Sequence, residues 1–321
     1  MKRPLYLLLV LSFMFSCSSS ENDSNDMEEA VVKDEKKFTY SSSYEIADYS
    51  NQQIVRDWIS ALAAGDMETV SGLFADSVSV YLANGDYYHS TKDSITSLAQ
   101  GFVSSNAKIE ITHLAALVVN STDMDATWSI IWIDELLTKD DGTTERNILH
   151  EAFLIEDGKI RSIRQYKQKP SESEGPAEVA DDAAEYAYSG SFIMADEKLI
   201  EVVTGWNEAI AGEADFEKAA TYLADSVTVY FEDGTSINST KDSLMVAVKE
   251  FITNVNGLKV VFNAAMAVHS TDRDETWVLS WTDESWTGED GKTVRMLIHE
   301  DYLIVDNKIR LVRQYGMQVL E

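Results

Sequence analysis

The chain has 321 residues, of which 45% are hydrophobic and 10% aromatic, so it holds enough apolar material for two well-packed domains. Its formal net charge of -29 repels nucleic-acid phosphates and anionic membrane surfaces, and we expect no nucleic-acid partner. The single Cys excludes an internal disulfide and a multi-cysteine zinc site. We expect neither a bound metal nor a cofactor, because the sequence has no phosphate-binding loop, metal-spaced histidines or nucleophile elbow.

Residues 1–16 have the form of a lipoprotein signal peptide. Two basic residues precede an apolar run over residues 5–15, which is shorter than the ~20 residues of a membrane-spanning helix. The run ends in Met14-Phe15-Ser16-Cys17. This motif resembles the lipobox that lipoprotein signal peptidase cleaves, although the usual box has Leu and a small residue where Met14 and Phe15 stand. The resemblance, of the relaxed kind common in Bacteroidota, implies lipidation of Cys17.

Residues 17–43 are predicted to be an acidic flexible tether. The stretch is polar after Cys17 and has no apolar period up to Lys37. Acidic residues directly after a lipidated Cys resemble the surface-export signals of Bacteroidota lipoproteins. We therefore expect an outer-membrane lipoprotein on the periplasmic or cell-surface side, with the lipid anchor as its only membrane contact.

The rest of the chain contains two copies of one sequence pattern. Residues 75–81 recur at 224–230, a shift of 149 positions (225 minus 76). The same shift relates Trp128 to Trp277, His150-Glu151 to His299-Glu300, and Arg164-Gln165-Tyr166 to Arg313-Gln314-Tyr315. Such a register indicates an internal duplication. We place the domains at residues 44–168 and 190–321, joined by a polar, proline-containing linker at 169–189.

Both copies have the same order of predicted elements. Apolar residues at helical spacing predict an amphipathic helix that ends near Gly65 or Gly212, followed by a second short helix and a short strand pair. Ser90-Thr91 is expected to provide the cap of a third helix. Four strands complete the first copy, at residues 108–119, 127–137, 145–156 and 159–167. Long adjacent strands with short turns imply an antiparallel sheet with helices on one face, which is an α+β fold.

This order of elements, with the stretch from Asp157-Gly158-Lys159-Ile160 to Arg164-Gln165-Tyr166, resembles the nuclear transport factor 2-like superfamily and its SnoaL-like branch. The resemblance covers nearly the whole of both copies. It implies two tandem cone-shaped domains, each with three helices packed on a curved antiparallel sheet around a pocket. Members include polyketide cyclases, ketosteroid isomerases, dehydratases, ligand-binding proteins and domains that only dimerise, so the fold does not select a function.

The predicted pocket is aromatic and holds one arginine per copy. Strand alternation places Trp128, Trp132 and Asp134 on one face, which we expect to line the cone or its helical cover. Ile160, Arg164 and Tyr166 are expected to share a face of the last strand. A buried arginine needs an acid, for which Asp134 and Glu151 are the candidates, with Asp283 and Glu300 in the second copy. The predicted pocket residues are Tyr81, Trp128, Trp132, Asp134, Glu151, Arg164, Tyr166, Tyr230, Trp277, Trp281, Asp283, Glu300, Arg313 and Tyr315.

An alternative interpretation gives these residues a structural role, with the tryptophans in the core and the arginine in a structural ion pair. The catalytic candidates are Asp134, His150, Asp283 and His299. His titrates near neutrality, but His150 and Glu151 are adjacent on a strand and point to opposite faces, so only one can enter a pocket. The alternative to a catalytic role is that His150 is a surface residue on the outer face of the sheet. The family resemblance implies that an isomerase would use a carboxylate beside a Tyr, such as Asp134 with Tyr166 or Tyr81.

Three functions stay open at this point. The favoured one is binding of a small, partly apolar or ring-bearing molecule in one or both pockets. A non-catalytic interaction scaffold is second, and an isomerase-, cyclase- or dehydratase-like enzyme is third. Domains of this superfamily commonly pair through the outer sheet face, so we expect the two copies to form an intrachain pseudo-twofold dimer.

Overall fold

The structure, a computed structural model, describes residues 38–171, 174–177, 186–212, 214–288 and 291–319. The predicted signal peptide, Cys17 and the tether up to residue 37 lie outside the described residues. The described chain is an α+β structure with a large antiparallel sheet. None of its helices combines the length and the apolar character that a membrane span needs.

The first half of the structure, residues 44–168, begins with a short strand and three helices and ends with four long strands. Its elements are β1 (Tyr44–Ile46), α1 (Ser50–Ala64), α2 (Met67–Leu73), β2 (Phe74–Tyr81), β3 (Tyr87–Thr91), α3 (Lys92–Ser104), β4 (Lys108–Ser121), β5 (Ala126–Thr138), β6 (Thr144–Glu156) and β7 (Lys159–Gln168). Gly65 ends α1 in a left-handed conformation with φ 71, and the Thr91 side chain caps α3. The predicted helix end, cap and four long strands are confirmed.

The second half, residues 190–319, repeats this order with one difference in its first helix. Its elements are β8 (Phe192–Met194), α4 (Leu199–Asn207), α5 (Phe216–Ala220), β9 (Leu223–Tyr230), β10 (Ser236–Thr240), α6 (Lys241–Asn254), β11 (Asn256–Ser270), β12 (Glu275–Thr287), β13 (Thr293–Val305) and β14 (Lys308–Gln318). The α-helical pattern of α4 stops at Asn207, and a π-helical turn, Glu208–Gly212, continues to the predicted helix end. Such turns occur frequently at functional sites.

The strands of both halves join in a single sheet. Their order is β1-β4-β5-β6-β7-β14-β13-β12-β11-β8, and the two halves meet where Lys167 of β7 pairs with Gly316 of β14. All neighbours along this path are antiparallel, whereas β2 and β9 add in parallel to β7 and β14. The result is a continuous sheet with a related arrangement of strands on each side of its centre.

A β-bulge near the start of each final strand changes which side chains share a face. The pairing of β6 with β7 skips Arg161, and the pairing of β13 with β14 skips Arg310. One extra residue reverses the alternation of the side chains before it. Ile160 therefore packs beneath the helices, while Tyr166 lies on the opposite side of the sheet with Arg164. The prediction that all three share a face is wrong for Ile160.

Each half of the sheet has one face covered by its own helices, which we call the helix-covered face. In the first half, Val55 and Trp58 of α1 pack with Ile131 of β5 and Phe153 of β6. The Trp58 and Phe153 rings meet edge to face with centroids 5.6 Å apart. The corresponding core of the second half joins α4 and α6 to β12, β13 and β14.

The opposite faces of the two half-sheets pack against each other. They form one buried group, the central cluster, that includes Trp132 and Tyr166 of the first half and Trp281 and Tyr315 of the second. The aromatic face that the sequence predicts to line a pocket is therefore the contact between the halves. This corrects the assignment of these four rings to the interior of a cone.

Two short segments cross between the halves. The Thr39 N–H donates to the Phe262 carbonyl at 2.9 Å, so the chain before the first half lies along β11 of the second. The Ala187 N–H donates to the His113 carbonyl at 2.8 Å, so the chain before the second half lies along β4 of the first. Each half is thus held by the segment that leads into the other.

Candidate functional site

His150 and His299 stack on each other inside the central cluster. Their ring centroids are 3.6 Å apart, their planes differ by 21°, and both side chains are fully buried. Neither ring nitrogen of His150 has a hydrogen-bond partner in the described chain, and burial, followed by the nearby His299, lowers its pKa well below the usual value. His150 is therefore a neutral interior ring, which corrects both its catalytic and its surface interpretation.

His299 is bonded differently from its counterpart. Its Nδ1 lies 3.0 Å from the Ser280 carbonyl oxygen and its Nε2 lies 2.7 Å from Asp301 Oδ1. The indole N–H of Trp132 donates to Asp301 Oδ2 at 3.0 Å, a hydrogen bond that joins the two halves. The first half has Ala152 where the second has Asp301. Its buried position between the half-sheets gives His299 a structural role in place of the predicted catalytic one.

Asp134 and Asp283 also face away from the helices. The Arg146 guanidinium donates to both oxygens of Asp134 at 2.8 Å, and Arg295 donates to both oxygens of Asp283 at 2.5 to 3.2 Å. A carboxylate held by a bidentate arginine is engaged as an acceptor. The catalytic role predicted for these two aspartates is corrected to a structural ion pair.

Arg164 and Arg313 do not contact the acids that the sequence suggests. The Arg164 guanidinium lies over the rings of Tyr81 and Trp128, at 5.2 and 5.8 Å from their centroids. The acid beside Arg313 is Glu174 of the linker, at 2.8 Å. These arginines therefore belong to the surface between the halves.

Of the predicted pocket residues, Glu151 and Glu300 lie on the helix-covered faces. The other rings pack into or beside the central cluster or beneath an arginine, and they are Tyr81, Trp128, Trp132, Tyr166, Tyr230, Trp277, Trp281 and Tyr315. Strand alternation assigns Glu151 and Glu300 to the same side as Phe153 and Tyr302. The candidate site is therefore built around these two glutamates.

Glu300 is the centre of a polar network beneath the helices of the second half. The Tyr302 hydroxyl donates a short hydrogen bond to its Oε2, and Gln314 Nε2 donates to its Oε1 at 3.3 Å. Asn207 of α4 in turn donates to the Tyr302 oxygen at 3.4 Å. Burial raises the pKa of Glu300 to about 7, so this carboxyl exchanges a proton near neutrality.

A second acid shares this face. The Thr282 hydroxyl donates to Glu284 Oε1 at 3.1 Å, and burial, followed by the charge of Glu300, raises the pKa of Glu284 to about 8. Ser280 lies opposite Glu300 in the pairing of β12 with β13, is fully buried, and has a hydroxyl without a partner in the described chain. An unsatisfied buried polar group costs about 1–3 kcal/mol. The Ser280 hydroxyl is therefore available to an incoming polar group.

The first half retains the acids but has different polar groups around them. Glu151 accepts a hydrogen bond from Gln165 at 2.9 Å and Glu135 accepts one from Asn147 at 3.0 Å. Burial raises the pKa of both acids, that of Glu151 to about 7. At the positions of Ser280, Thr282, Tyr302 and Asn207 the first half has Ile131, Ile133, Phe153 and Ile59. Conversely, the second half has Ile200, Val278 and Met296 where the first has Gln52, Ser129 and Asn147, so the two interiors carry different polar groups.

Sequence reasoning missed Glu135, Glu284, Tyr302 and Asn207. A signal for the last two is present in the sequence, because each replaces an apolar residue of the other copy. The two glutamates carry no such signal, since each half has a glutamate at this position.

Two clefts open on the surface of the described chain away from this site. One, of about 170 Å³, is lined by Asp134, Arg146 and Pro176, and the other, of about 550 Å³, includes Lys92 and Arg161 in its lining. The residues around Glu300 line neither cleft.

Comparison with known proteins gives a likeness at the level of one domain. No family model matches the chain, and no curated protein sequence does. The matching solved structures have nuclear transport factor 2-like, SnoaL-like and ketosteroid isomerase-like folds, and one such match covers about 37% of the chain.

Three of these structures show how low the sequence identities and TM-scores are. An LEH-like epoxide hydrolase of M. tuberculosis is 14% identical, with a TM-score of 0.32 over 37% of this chain and 82% of that one. A nuclear transport factor 2-like protein of Burkholderia xenovorans is 17% identical, with a TM-score of 0.31 over 38% and 92%. A SnoaL-like protein of Jannaschia is 8% identical, with a TM-score of 0.33 over 37% and 86%. Likeness at this level carries no argument about activity, which must come from the residues of the site.

Proposed function

We propose that the second half binds a small, partly apolar molecule beneath its helices, with the polar end of that molecule at Glu300, Tyr302 and Ser280. The observation that carries this proposal is the group of buried polar side chains around Glu300, in which the Ser280 hydroxyl has no partner in the described chain. Burying polar groups costs free energy unless they find partners. A core that keeps such groups, one of them without a partner, is organised for a ligand.

The walls of the proposed site are aromatic. Trp206 of α4 is partly buried against the core of the second half, and Trp286 follows Glu284 on the same face of β12. The Trp286 indole nitrogen is buried and has no hydrogen-bond partner in the described residues. Rings with a few convergent polar groups are typical of small-molecule sites. Because Glu284 and Trp286 are both partly exposed, we place the entrance at this end of β12.

A second candidate function is proton-transfer catalysis of the isomerase or cyclase type at Glu300. It is favoured by a pKa of about 7 in a buried carboxyl that is hydrogen-bonded to a tyrosine. A carboxyl with a pKa near the working pH is suited to general acid–base catalysis. Glu300→Gln separates the two functions, because a catalyst loses turnover while it still binds its substrate.

We propose that the first half has a structural role and supports the second half. In this view each half is a cone with three helices packed on a curved sheet, and the two cones pair within one chain as a pseudo-twofold dimer. We propose that the whole chain is a monomer in solution.

The interior of the second half should admit a small reagent more readily than that of the first. In a Cys17→Ala chain, Ser280→Cys places a thiol opposite Glu300, and Ile131→Cys places the matched thiol in the first half. We expect the thiol at position 280 to react with methyl methanethiosulfonate about tenfold faster or more, because reactivity follows access. Intact-mass spectrometry measures both rates. A ligand of the site is then recognised because it slows the reaction of the thiol at position 280.

Hydrogen exchange of each variant supplies the control, because it reports the rate of global opening. Equal reaction rates for the two thiols, or a rate at position 280 no faster than global opening, would show a closed interior and remove the binding proposal.

We also propose that Cys17 carries a lipid and that the chain is an outer-membrane lipoprotein, facing the periplasm or the cell surface. Metabolic labelling with an alkynyl palmitate should mark the wild-type chain and should be lost in Cys17→Ala. Ser16→Ala keeps a small residue before the Cys and should be labelled like the wild type. Labelling that survives Cys17→Ala would contradict the anchor.

A further inference from the structure

The linker between the halves binds in a groove that both halves form. At one end of this groove, Arg313 of the second half donates to Glu174 Oε1 at 2.8 Å and to Gln168 Oε1 at 2.9 Å. The guanidinium also lies 4.5 Å from the centroid of the Tyr230 ring. A charged hydrogen bond between arginine and carboxylate is among the stronger polar contacts in proteins. Glu174 is thus the charged anchor of the linker.

The other end of the groove binds the backbone of the same segment. Arg146 of the first half donates to the carbonyl oxygens of Glu174 and Gly175 at 2.6 and 2.8 Å. The Ala177 N–H donates to Asp134 Oδ2 at 2.9 Å. The groove therefore recognises one acidic side chain and three backbone groups of a peptide segment.

The pseudo-symmetry places a second copy of this groove on the opposite side of the molecule. The counterpart of Arg313 is Arg164, and the counterpart of the Asp134–Arg146 pair is the Asp283–Arg295 pair. Both pairs have the same bidentate geometry, but the Asp283 side chain is 23% exposed, compared with 6% for Asp134. The second groove is thus the more open of the two.

Arg164 lacks the carboxylate that its counterpart has. Within the described chain its guanidinium is surrounded by rings, at 5.2 Å from Tyr81, 5.8 Å from Trp128 and 5.7 Å from Tyr40, and no acid lies within ion-pair distance. Its Nε is buried without a hydrogen-bond partner. A partly buried guanidinium with no anion is costly. Arg164 is therefore a site for an incoming carboxylate.

The neighbouring surface agrees with a site that is open to a partner. Tyr40 is 42% exposed, and Tyr87, which stacks on Tyr81 at 4.6 Å, is 54% exposed. Exposed aromatic rings around an arginine are typical of protein–protein interfaces.

We propose that this second groove binds an acidic peptide segment of another protein, with a glutamate on Arg164 and the backbone N–H three residues later on Asp283. The first groove supplies the template, because the linker occupies it in this way. A lipid headgroup or a nucleic-acid phosphate fits this groove less well than a peptide, because the Asp283 carboxylate needs a donor such as the backbone N–H that Asp134 binds in the first groove. This interaction is independent of any ligand beneath the helices.

A peptide with the sequence of residues 170–178 tests the proposal. We expect the fluorescein-labelled peptide to bind the full chain carrying Cys17→Ala, to bind about tenfold more weakly to Arg164→Gln, and to weaken as salt rises. Lys167→Gln removes one positive charge from the same strand and should leave the affinity unchanged. Fluorescence anisotropy measures the affinity of each variant.

A peptide carrying Glu174→Gln provides a control that leaves the protein unaltered. It should bind about as weakly to the wild-type groove as the native peptide binds to Arg164→Gln. Failure of the native peptide to bind, or equal binding of both peptides, would overturn the proposal. Because no variant in this experiment changes Glu300, its outcome does not depend on the proposed ligand site.

Discussion

Replacement of Trp132 by alanine should destabilise the whole chain, because this ring belongs to both halves at once. We expect Trp132→Ala to lower the free energy of unfolding by about 3–5 kcal/mol, the usual cost of removing a buried aromatic ring. The ring is 7% exposed and packs 5.0 Å from His150, and its N–H bonds to Asp301 of the other half. Urea denaturation followed by circular dichroism measures the loss.

Two further variants show where that loss comes from. Leu98→Ala removes an exposed apolar side chain from α3 and should change the stability by less than about 0.5 kcal/mol. Trp132→Phe keeps most of the ring but removes the hydrogen bond to Asp301, so it should cost about 1–3 kcal/mol for the acceptor left without this donor. A loss below about 1 kcal/mol in Trp132→Ala would show that the halves are stable without the central cluster.

We also expect the stability of the chain to depend strongly on pH, because three buried acids have raised pKa values. Burial raises the pKa of Glu151 and Glu300 from 4.5 to about 7, and that of Glu284 to about 8. The folded state therefore binds these protons more tightly than the unfolded state. Stability that is fully present below pH 4.5 should be lost as the pH rises through 7 to 8. Each acid contributes on the order of 3 kcal/mol to this loss.

Glu300→Gln should remove one part of this dependence. An amide keeps an oxygen for Tyr302 but carries no proton to lose, so the variant should match the wild type near pH 5 and exceed its stability by about 2–3 kcal/mol near pH 9. Glu250→Gln, on the exposed side of α6, should follow the wild-type curve. Urea denaturation at several pH values across this range measures the free energy of unfolding. If the slope of this free energy against pH were the same in Glu300→Gln as in the wild type, a raised pKa at this residue would be contradicted.

The sequence predicted the elements and their order because these depend on local signals. Gly65 and Thr91 act within one turn of their own helices, and the long strands follow from alternation and short turns. Alternation also grouped Trp128, Trp132 and Asp134 correctly on one face. It carries no information about which face the helices cover, and for this reason the aromatic face was assigned to the pocket instead of the contact between the halves.

The remaining errors have equally physical causes. The bulge at Arg161 reverses a face without any signal in residue type, so Ile160 was grouped with the wrong neighbours. The partner of Arg313 is Glu174 in the linker, a residue that only tertiary structure brings near. Glu151 and Glu300 were in the predicted set, but their partners Gln165 and Tyr302 become visible only when the strands are placed side by side.

The stacked histidines show what covalent fusion permits. In an assembly of two identical chains, a residue on the symmetry axis meets its own image, and both imidazoles would share one environment. Two imidazolium cations 3.6 Å apart inside a protein would repel each other strongly. Here Asp301 stands on one side and Ala152 on the other, so only His299 is given an anion. Because the two halves belong to one chain, matched positions can carry different residues, and the two imidazoles can have different surroundings.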